Sequence, residues 1–220
     1  MESLNIDRTA LFLIALELEL PDLLSLCLSN TDINNRICRN TNFWLTKLRR
    51  DFSDEDIRDF DYMNEILNLK LTSKELYGLL YSLKVIKNLI KSDKKLLDIY
   101  RITDLNLSNK GLKTIPPAVF QLDNLKTLNL SDNQLTTLPE QLFTRSNLEN
   151  LILSNNQLTE IPSDIEYLIN LQNLSLVNNK LTSLPLEINK LPRLRAVNVR
   201  NNPIIVSSNQ FPKILIIKSK

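Results

Sequence analysis

The chain has 220 residues, with 27 Lys and Arg against 25 Asp and Glu and a formal net charge of +2. This balance excludes a polycationic nucleic-acid-binding protein and an acidic tail protein. A hydrophobic fraction of 43% and a charged fraction of 24% are typical of globular proteins. We therefore expect one large or two small globular domains and no nucleic-acid partner.

The residues that are missing exclude most hydrolase mechanisms and nucleotide-binding phosphate loops. The sequence contains no histidine, so no Ser-His or Cys-His pair, imidazole base or histidine metal ligand can exist. Its two glycines, Gly78 and Gly111, cannot form a glycine-rich phosphate loop. We therefore expect a non-enzymatic protein with no catalytic residues, no metal and no cofactor.

The cysteines and the longest apolar run bear on the compartment. Cys27 and Cys38 are too few for a structural zinc site or a disulfide framework, and the interpretation is two free thiols that fill a core as small hydrophobes. The apolar run Ala10–Leu16 ends at Glu17, well short of the roughly 18 residues of a membrane-spanning helix. The prediction is a cytoplasmic protein without a membrane partner.

Helical periodicity dominates the first 52 residues. The spacing predicts helices over Leu11–Leu18, from Pro21 through Leu28, and from a cap at Thr31 or Asp32 through Ile37. The apolar residues that complete this set are Phe43, Trp44 and Leu48. A bundle of about 45 residues has a small core, so it is expected to pack on a partner or on the rest of the chain.

The same segment carries a family resemblance. Leu-Pro-Asp-Leu-Leu at 20–24, together with Leu28, Ile33 and Trp44, resembles the divergent, F-box-like form of the F-box motif. The resemblance implies docking on a Skp-type adaptor of a cullin-RING ubiquitin ligase. The residues that it implies as adaptor-facing or adaptor-supporting are Pro21, Leu23, Leu24, Leu28 and Trp44. The alternative is that Trp44 and the leucines form only an intramolecular core.

A longer helix is predicted before residue 92. Thr72 and Glu75 form a capping box ahead of apolar residues at helical spacing, and the helix is expected to end near Ser92. Its expected role is to cover the open edge of the repeats that follow. The lysines on this segment are interpreted as its solvated face.

From residue 102 onward the sequence repeats with a period of 23. Leu105, Leu128, Leu151, Leu174 and Val197 are evenly spaced, and each unit follows L-x-x-L-x-L-x-x-N-x-L-x-x-L-P. This pattern resembles the leucine-rich repeat family in its 23-residue form over about residues 102 to 206. The resemblance implies a solenoid.

The residue pattern independently predicts one short strand in each unit. Leu128 and Leu130 alternate with polar residues, which turns both leucines toward one face, so stacked units form a continuous core and an exposed parallel sheet. The asparagines that follow the strands are expected to bond neighbouring backbone groups; they are Asn133, Asn156, Asn179 and Asn202.

Departures from the pattern mark the ends of the array. Lys110 replaces the asparagine of the first unit, and Ser207 and Ser208 replace the Leu-Pro pair of the last. The tail from Phe211 through Ile217 is predicted to cap the last unit as a strand or a helix.

The exposed sheet face is the predicted target-binding surface. Its residues are small and amide-rich, with basic residues toward the C-terminal end, and it carries no aromatic anchors. The predicted target-binding residues are Asn106, Thr127, Asn129, Asn150, Ile152, Asn173, Ser175, Arg195, Asn198 and Arg200. The alternative is a solvated face that binds nothing specific.

Together these observations predict an α+β protein. The expected parts are an F-box-like helical module at 1–52, a helical linker and N-terminal cap at 53–100, about five repeats at 101–206 and a C-terminal cap at 207–220. The leading hypothesis is a monomeric, substrate-recruiting ligase adaptor that binds a Skp-type adaptor and an unknown protein target. The alternative is a stand-alone repeat scaffold whose N-terminal helices only cap the solenoid.

The Asn-, Lys- and Ile-rich composition adds one more resemblance. The F-box-like start followed by a short, regular repeat array is similar to repeat proteins of large DNA viruses of protists. This resemblance implies action in the host cytoplasm.

Overall fold

A computed structural model describes residues 15, 18–29, 31–66, 71–205, 210–211 and 214–217. The chain divides into two compact units, one formed by residues 1–84 and 95–97 and the other by residues 85–94 and 98–220. The four-part division of the sequence stays a prediction. Among the described helices, none has both the length and the apolar character that a bilayer span requires.

The described residues before the repeats form six α-helices. These are α1 (Leu20–Ser29), α2 (Thr31–Ile33), α3 (Thr41–Asp51), α4 (Asp54–Ile66), α5 (Ser73–Leu89) and α6 (Leu96–Tyr100), with a π-helical turn over Asn34–Cys38 after α2. The predicted helix Leu11–Leu18 lies outside the described residues except for Ala15 and Leu18.

The predicted helix from Pro21 is confirmed, since α1 has Pro21 in its first turn. The third predicted helix is only partly correct, because α2 ends at Ile33 and the chain continues to Cys38 as the π-helical turn. The helix α3 was not predicted. It carries Phe43, Trp44 and Leu48, which the sequence analysis assigned to the helical bundle without a helix of their own. Asn40 caps it by accepting a hydrogen bond from the Phe43 amide at 3.2 Å.

The structure corrects the expectation of two free thiols. Cys27 of α1 and Cys38 of the π-helical turn form a disulfide, with their Cα atoms 6.2 Å apart. The fold brings the two cysteines together because α1 packs against this turn, a contact that spacing alone did not show. The argument from free thiols to a reducing compartment therefore no longer applies.

Aromatic rings form the core of the first unit. Trp44 is 1% exposed, and its indole Nε1 donates to the Cys38 carbonyl at 2.9 Å. The Phe43 and Tyr77 rings lie 5.2 and 5.4 Å from the Trp44 ring, between centroids. This arrangement satisfies the indole N–H inside the core, as buried tryptophan requires.

Both ends of α5 are closed by hydrogen bonds. The predicted capping box is confirmed, because the Thr72 amide donates to the Glu75 carboxylate at 2.8 Å and the Glu75 amide donates to the Thr72 hydroxyl at 3.3 Å. After Leu89, Lys91 adopts a left-handed conformation with φ of 52°, and the Ser92 amide donates to the Lys87 carbonyl at 3.0 Å. This Schellman turn ends the helix where the sequence predicted.

Six parallel strands form one sheet in chain order, which confirms the predicted solenoid. They are β1 (Asp104–Asn106), β2 (Thr127–Asn129), β3 (Asn150–Ile152), β4 (Asn173–Ser175), β5 (Ala196–Asn198) and β6 (Leu215–Ile217). Leu105 pairs with Leu128 and Leu128 with Leu151, so the first five strands stack with the 23-residue period of the sequence. The tail supplies β6, a sixth strand beyond the five repeats, while Ser207 and Ser208 lie outside the described residues.

A ladder of buried asparagines joins the units, as predicted. The Asn156 amide nitrogen donates to the Leu130 carbonyl of the preceding unit at 3.0 Å and to Leu153 at 3.1 Å, while its carbonyl accepts from the Leu135 amide at 3.0 Å. Equivalent bonds are made by Asn133, Asn179 and Asn202. Each asparagine therefore ties its own unit to the previous one.

In the first repeat, Lys110 stands where the later repeats have asparagine. The asparagine side chains of later repeats donate to a carbonyl of the preceding repeat, and no repeat precedes this one among the described residues. The Lys110 backbone amide donates to the Asn133 side-chain oxygen at 3.0 Å, a bond that does not need an asparagine at position 110.

The chain returns to each next strand through short 3₁₀-helices. These cover Pro117–Gln121, Glu140–Thr144, Ser163–Tyr167 and Leu186–Lys190. A proline precedes or starts each one, where the missing N–H costs little.

Candidate partner-binding surfaces

The concave sheet face is organised in rows, because equivalent positions of successive strands lie side by side. The middle residue of each repeat strand, such as Leu128 or Val197, is buried, while the two flanking residues face out. The structure thus brings the predicted strand residues from Asn106 to Asn198 onto one surface, at least partly exposed.

The first row is a directional hydrogen-bond ladder. The Asn173 amide nitrogen donates to the Asn150 carbonyl at 2.8 Å, and the Asn150 amide nitrogen donates to the Thr127 hydroxyl at 3.3 Å. The ladder ends at Asp104, which accepts a 2.7 Å bond from the Thr103 hydroxyl and another from Thr127. These bonds hold the pKa of Asp104 below its usual value, so the carboxylate is charged at neutral pH.

The second row contains Asn106, Asn129 and Asn198. Their side-chain oxygens accept hydrogen bonds from the protein backbone, and their side-chain nitrogens face outward. The side-chain oxygens of Asn106 and Asn129 accept the Ser108 and Ser131 amides at 3.0 Å, and that of Asn198 accepts the Arg200 amide at 3.3 Å. In the described part of the chain, no acceptor lies within bonding distance of these three amide nitrogens. The row therefore offers oriented N–H donors to an approaching ligand.

Ile152 and Ser175 interrupt that row. Ile152 has no side-chain amide, and the Ser175 hydroxyl is 2.8 Å from the hydroxyl of Ser154, which lies two residues after β3. The centre of the concave face is consequently less polar than its ends.

A row just before the strands was missed by the sequence analysis. The Lys126 ammonium lies 3.1 Å from the Glu149 carboxylate, which also accepts a 3.2 Å bond from the Gln172 amide. Their common spacing of 23 residues was available as a signal. Arg195 continues the row and is exposed.

Charge is unevenly distributed along the concave face. The Asp104 carboxylate lies on β1, whereas Arg195 precedes β5 and Arg200 follows it, with both arginines exposed. A ligand that spans the face therefore meets negative charge at one end and positive charge at the other.

The residues of the F-box-like segment divide between surface and core. Pro21 and Leu28 are exposed, Leu28 by 88%, and Leu24 is half-buried. Their spacing of three and four residues places them on one side of α1. This apolar stripe is available to a partner.

Leu23 and Trp44 cannot contact a partner directly. Leu23 is 0% and Trp44 1% exposed, so both belong to the core beneath the stripe. Three of the five predicted residues are therefore at least partly exposed. The other two, Leu23 and Trp44, could only support the stripe from within the core.

No metal-binding cluster accompanies these surfaces in the described residues. Groups of three or more Cys, Asp or Glu side chains that could hold a metal ion are absent from this part of the chain.

Comparison with known proteins identifies the repeats. The family described as Leucine rich repeat matches residues 101–145 and 146–204. No curated protein matches the chain.

Several solved structures are similar to the repeat region. A leucine-rich repeat protein of Leptospira interrogans, LIC12759, is 33% identical with a TM-score of 0.48, over 56% of this chain and 38% of that chain. The leucine-rich repeat ectodomain of the receptor kinase SOBIR1 from Arabidopsis thaliana is 30% identical with a TM-score of 0.45, over 54% of this chain and 70% of that chain. The plant peptide hormone receptor RGFR1, solved in complex with RGF2, is 31% identical with a TM-score of 0.41, over 48% of this chain and 19% of that chain. This chain spans well under half the length of the Leptospira protein.

Proposed function

We propose that this chain, whose residues 101–145 and 146–204 match the Leucine rich repeat family, is a substrate-recruiting adaptor of a cullin-RING ubiquitin ligase. Leucine-rich repeat proteins bind protein partners and are generally non-enzymatic scaffolds. In this proposal the concave face holds a target protein while α1 docks on a Skp-type adaptor. Catalysis then belongs to the recruited ligase.

The observation that carries the proposal is the apolar stripe on α1. A leucine that is 88% exposed, next to an exposed proline and a half-buried leucine, is suited to a hydrophobic groove on another protein. The opposite side of the same helix packs Leu23 and Cys27 into the core. Two apolar sides on one helix are explained if the second side also has a partner.

The concave face supports the target-binding half of the proposal. Its oriented amides and its charge gradient from Asp104 to Arg200 favour a polar peptide or protein epitope over an apolar ligand. The acidic end of such a target is expected near Arg195 and Arg200, where the basic charge lies.

The burial of Trp44 favours a second candidate function. Its ring packs on Phe43 and Tyr77 and its N–H is satisfied internally, so the helices could serve only as an intramolecular core. In that case the chain is a stand-alone repeat scaffold that binds a protein through its concave face.

A viral source and action in host cytoplasm remain part of the proposal. They rest on the composition and on the pairing of an F-box-like start with a short repeat array.

The two candidate functions are separated by a binding titration against a purified Skp-type adaptor. Leu28→Asp is the test variant, because a side chain that is 88% exposed can be changed without disturbing the core. Leu186→Asp, at a 61% exposed leucine of the repeat unit, is the matched control. The proposal expects saturable binding that Leu28→Asp abolishes and Leu186→Asp retains, with both folds verified by circular dichroism.

The opposite result supports the scaffold. Absence of binding at tens of micromolar, with the adaptor shown to be competent on another partner, would remove the ligase role. Equal loss of binding in both variants would show that α1 is not the docking surface.

A further inference from the structure

The outer edge of β1 lacks a neighbouring strand in the described part of the chain. β1 pairs only with β2, and that pairing uses odd-numbered residues: the Leu107 amide donates to the Asn129 carbonyl at 2.8 Å, and the Thr103 carbonyl accepts the Thr127 amide at 2.9 Å. In a parallel ladder the backbone groups of alternate residues point to opposite sides. The N–H and C=O groups of Asp104 and Asn106 therefore point away from β2.

The next strand shows what these groups would bind. Thr127 and Asn129 occupy the positions of β2 that correspond to Asp104 and Asn106, and their backbone groups are the ones paired with β1. No described residue plays that part for Asp104 and Asn106, and both residues are exposed. An edge of this kind is a template for an added strand.

A groove runs beside this edge. Its volume is about 410 Å³, within the range of ligand-sized clefts, and we call it the β1 groove. One wall is the segment after α5, with Ile90, Ser92 and Lys94, and the other is β1 and the turn after it. Both walls belong to the compact unit formed by residues 85–94 and 98–220.

Lysine side chains set the charge of the β1 groove. Lys94 and Lys110 line it, and neither side chain has an ion-pair partner among the described residues. The carboxylate in the groove, Asp104, is engaged by the hydroxyls of Thr103 and Thr127. Asp104 stays ionised, so the lining of the β1 groove carries the positive charges of Lys94 and Lys110 against one carboxylate and is net positive.

We infer that the β1 groove binds an extended segment of a partner protein that carries acidic side chains and adds as a strand to the free edge of β1. The backbone groups of Asp104 and Asn106 supply the ladder, Ile90 supplies an apolar contact, and Lys94 and Lys110 select the acidic residues. This surface is the outer edge of the concave rows at Asp104 and Asn106, and the inference does not depend on the ligase role.

The test uses the full-length ¹⁵N-labelled chain and a defined probe, the peptide acetyl-Glu-Val-Thr-Val-Thr-Glu-amide. The expected result is a saturable shift of the Asp104 and Asn106 amide signals. The same peptide N-methylated at alternate residues cannot complete the ladder, so we expect its binding to be weaker by about tenfold. A peptide with Lys in place of Glu is expected to bind more weakly as well.

Two sets of variants assign the contacts. Asp104→Pro removes the outward N–H, and Asp104→Ala keeps it, so the proline variant should lose about five- to tenfold more affinity than the alanine variant. Lys94→Glu and Lys110→Glu should weaken binding of the acidic peptide, whereas Lys113→Glu, at an exposed lysine outside the β1 groove, should not.

Two results would overturn the inference. One is the absence of shifts at Asp104 and Asn106 at millimolar peptide. The other is equal binding of the N-methylated peptide, which needs no mutation of the protein and therefore stays decisive if Asp104→Pro does not fold.

Discussion

The Lys47 ammonium lies 3.0 Å from the Asp51 carboxylate, one turn further along α3, and the whole Lys47 residue is buried. The ammonium also donates to the Leu18 carbonyl at 2.8 Å, and the Tyr77 hydroxyl donates to Asp51 at 2.6 Å. A buried charge is tolerated only with such a set of partners. This network links α3, α5 and the segment before α1.

Removing one partner of the Lys47–Asp51 pair should destabilise the compact unit formed by residues 1–84 and 95–97. We expect Asp51→Ala to lower the free energy of unfolding by about 3 kcal/mol, because it removes the carboxylate that pairs with the buried Lys47 ammonium and accepts the Tyr77 hydroxyl. The double variant Lys47→Met/Asp51→Ala should cost less than Asp51→Ala alone. Urea unfolding followed by fluorescence of the single tryptophan, Trp44, measures both. Asp61→Ala, at an exposed residue of α4, serves as the control, and a double variant less stable than the single one would contradict the assignment.

The same network predicts a pH dependence. Burial raises the pKa of Asp51, but hydrogen bonds from Tyr77, Arg50 and Lys47 outweigh it and leave the pKa below its usual value. A carboxyl whose pKa is lower in the folded state contributes stability above its unfolded pKa of about 3.9, and this contribution is lost as the pH falls through the folded value. Trp44-monitored stability should therefore fall below about pH 5.

Asp51→Asn provides the control for that titration. Its stability curve should be flatter than that of the wild type in the acidic range, since the titrating group is gone. Parallel curves would show that other carboxyl groups dominate the acid response.

The asparagine ladder predicts a strong dependence on position. Asn156→Ala should lower the stability of the repeats by about 1 to 3 kcal/mol. It leaves the Leu135 amide without its acceptor and removes one of the two donors of the Leu130 and Leu153 carbonyls, which keep their bonds to Asn133 and Asn179. Lys110→Asn, the matched change in the first unit, should alter stability by less than about 0.5 kcal/mol. Thermal unfolding followed by circular dichroism compares them, and similar losses would refute the position effect.

The two glycines predict effects of opposite sign. Gly111 has a φ of +65°, where alanine is strained, so Gly111→Ala should destabilise the chain by about 1 kcal/mol. Gly78 lies inside α5 with nothing within 4 Å of an added Cβ, so Gly78→Ala should stabilise it by about 0.5 to 1 kcal/mol. Denaturant midpoints of the two variants test this, and a shift in the same direction would contradict it.

The repeat region could be predicted almost completely from the sequence. A fixed 23-residue period repeats each local environment, so the positions of Leu128 and Asn133 in one repeat determine the equivalent positions of every repeat. The capping box of α5 was also predictable, because its two residues are three apart and interact locally.

The candidate surfaces required the tertiary structure. Pro21, Leu23, Leu24, Leu28 and Trp44 formed one set in the sequence, yet packing buries Leu23 and Trp44 and exposes Pro21 and Leu28. Burial depends on which elements cover each side of a helix, and a spacing pattern does not contain that information.

The sequence by itself determined that the protein has no histidine chemistry and that it is a repeat protein suited to interaction. Composition and local periodicity suffice for those conclusions. Only the tertiary structure decided the Cys27–Cys38 bond, the buried charge of Lys47 and the free edge of β1. Each of these depends on contacts between segments that the chain brings together, or leaves apart, when it folds. Such long-range contacts have no fixed spacing in the sequence, and this is the physical reason that they could not be read from it.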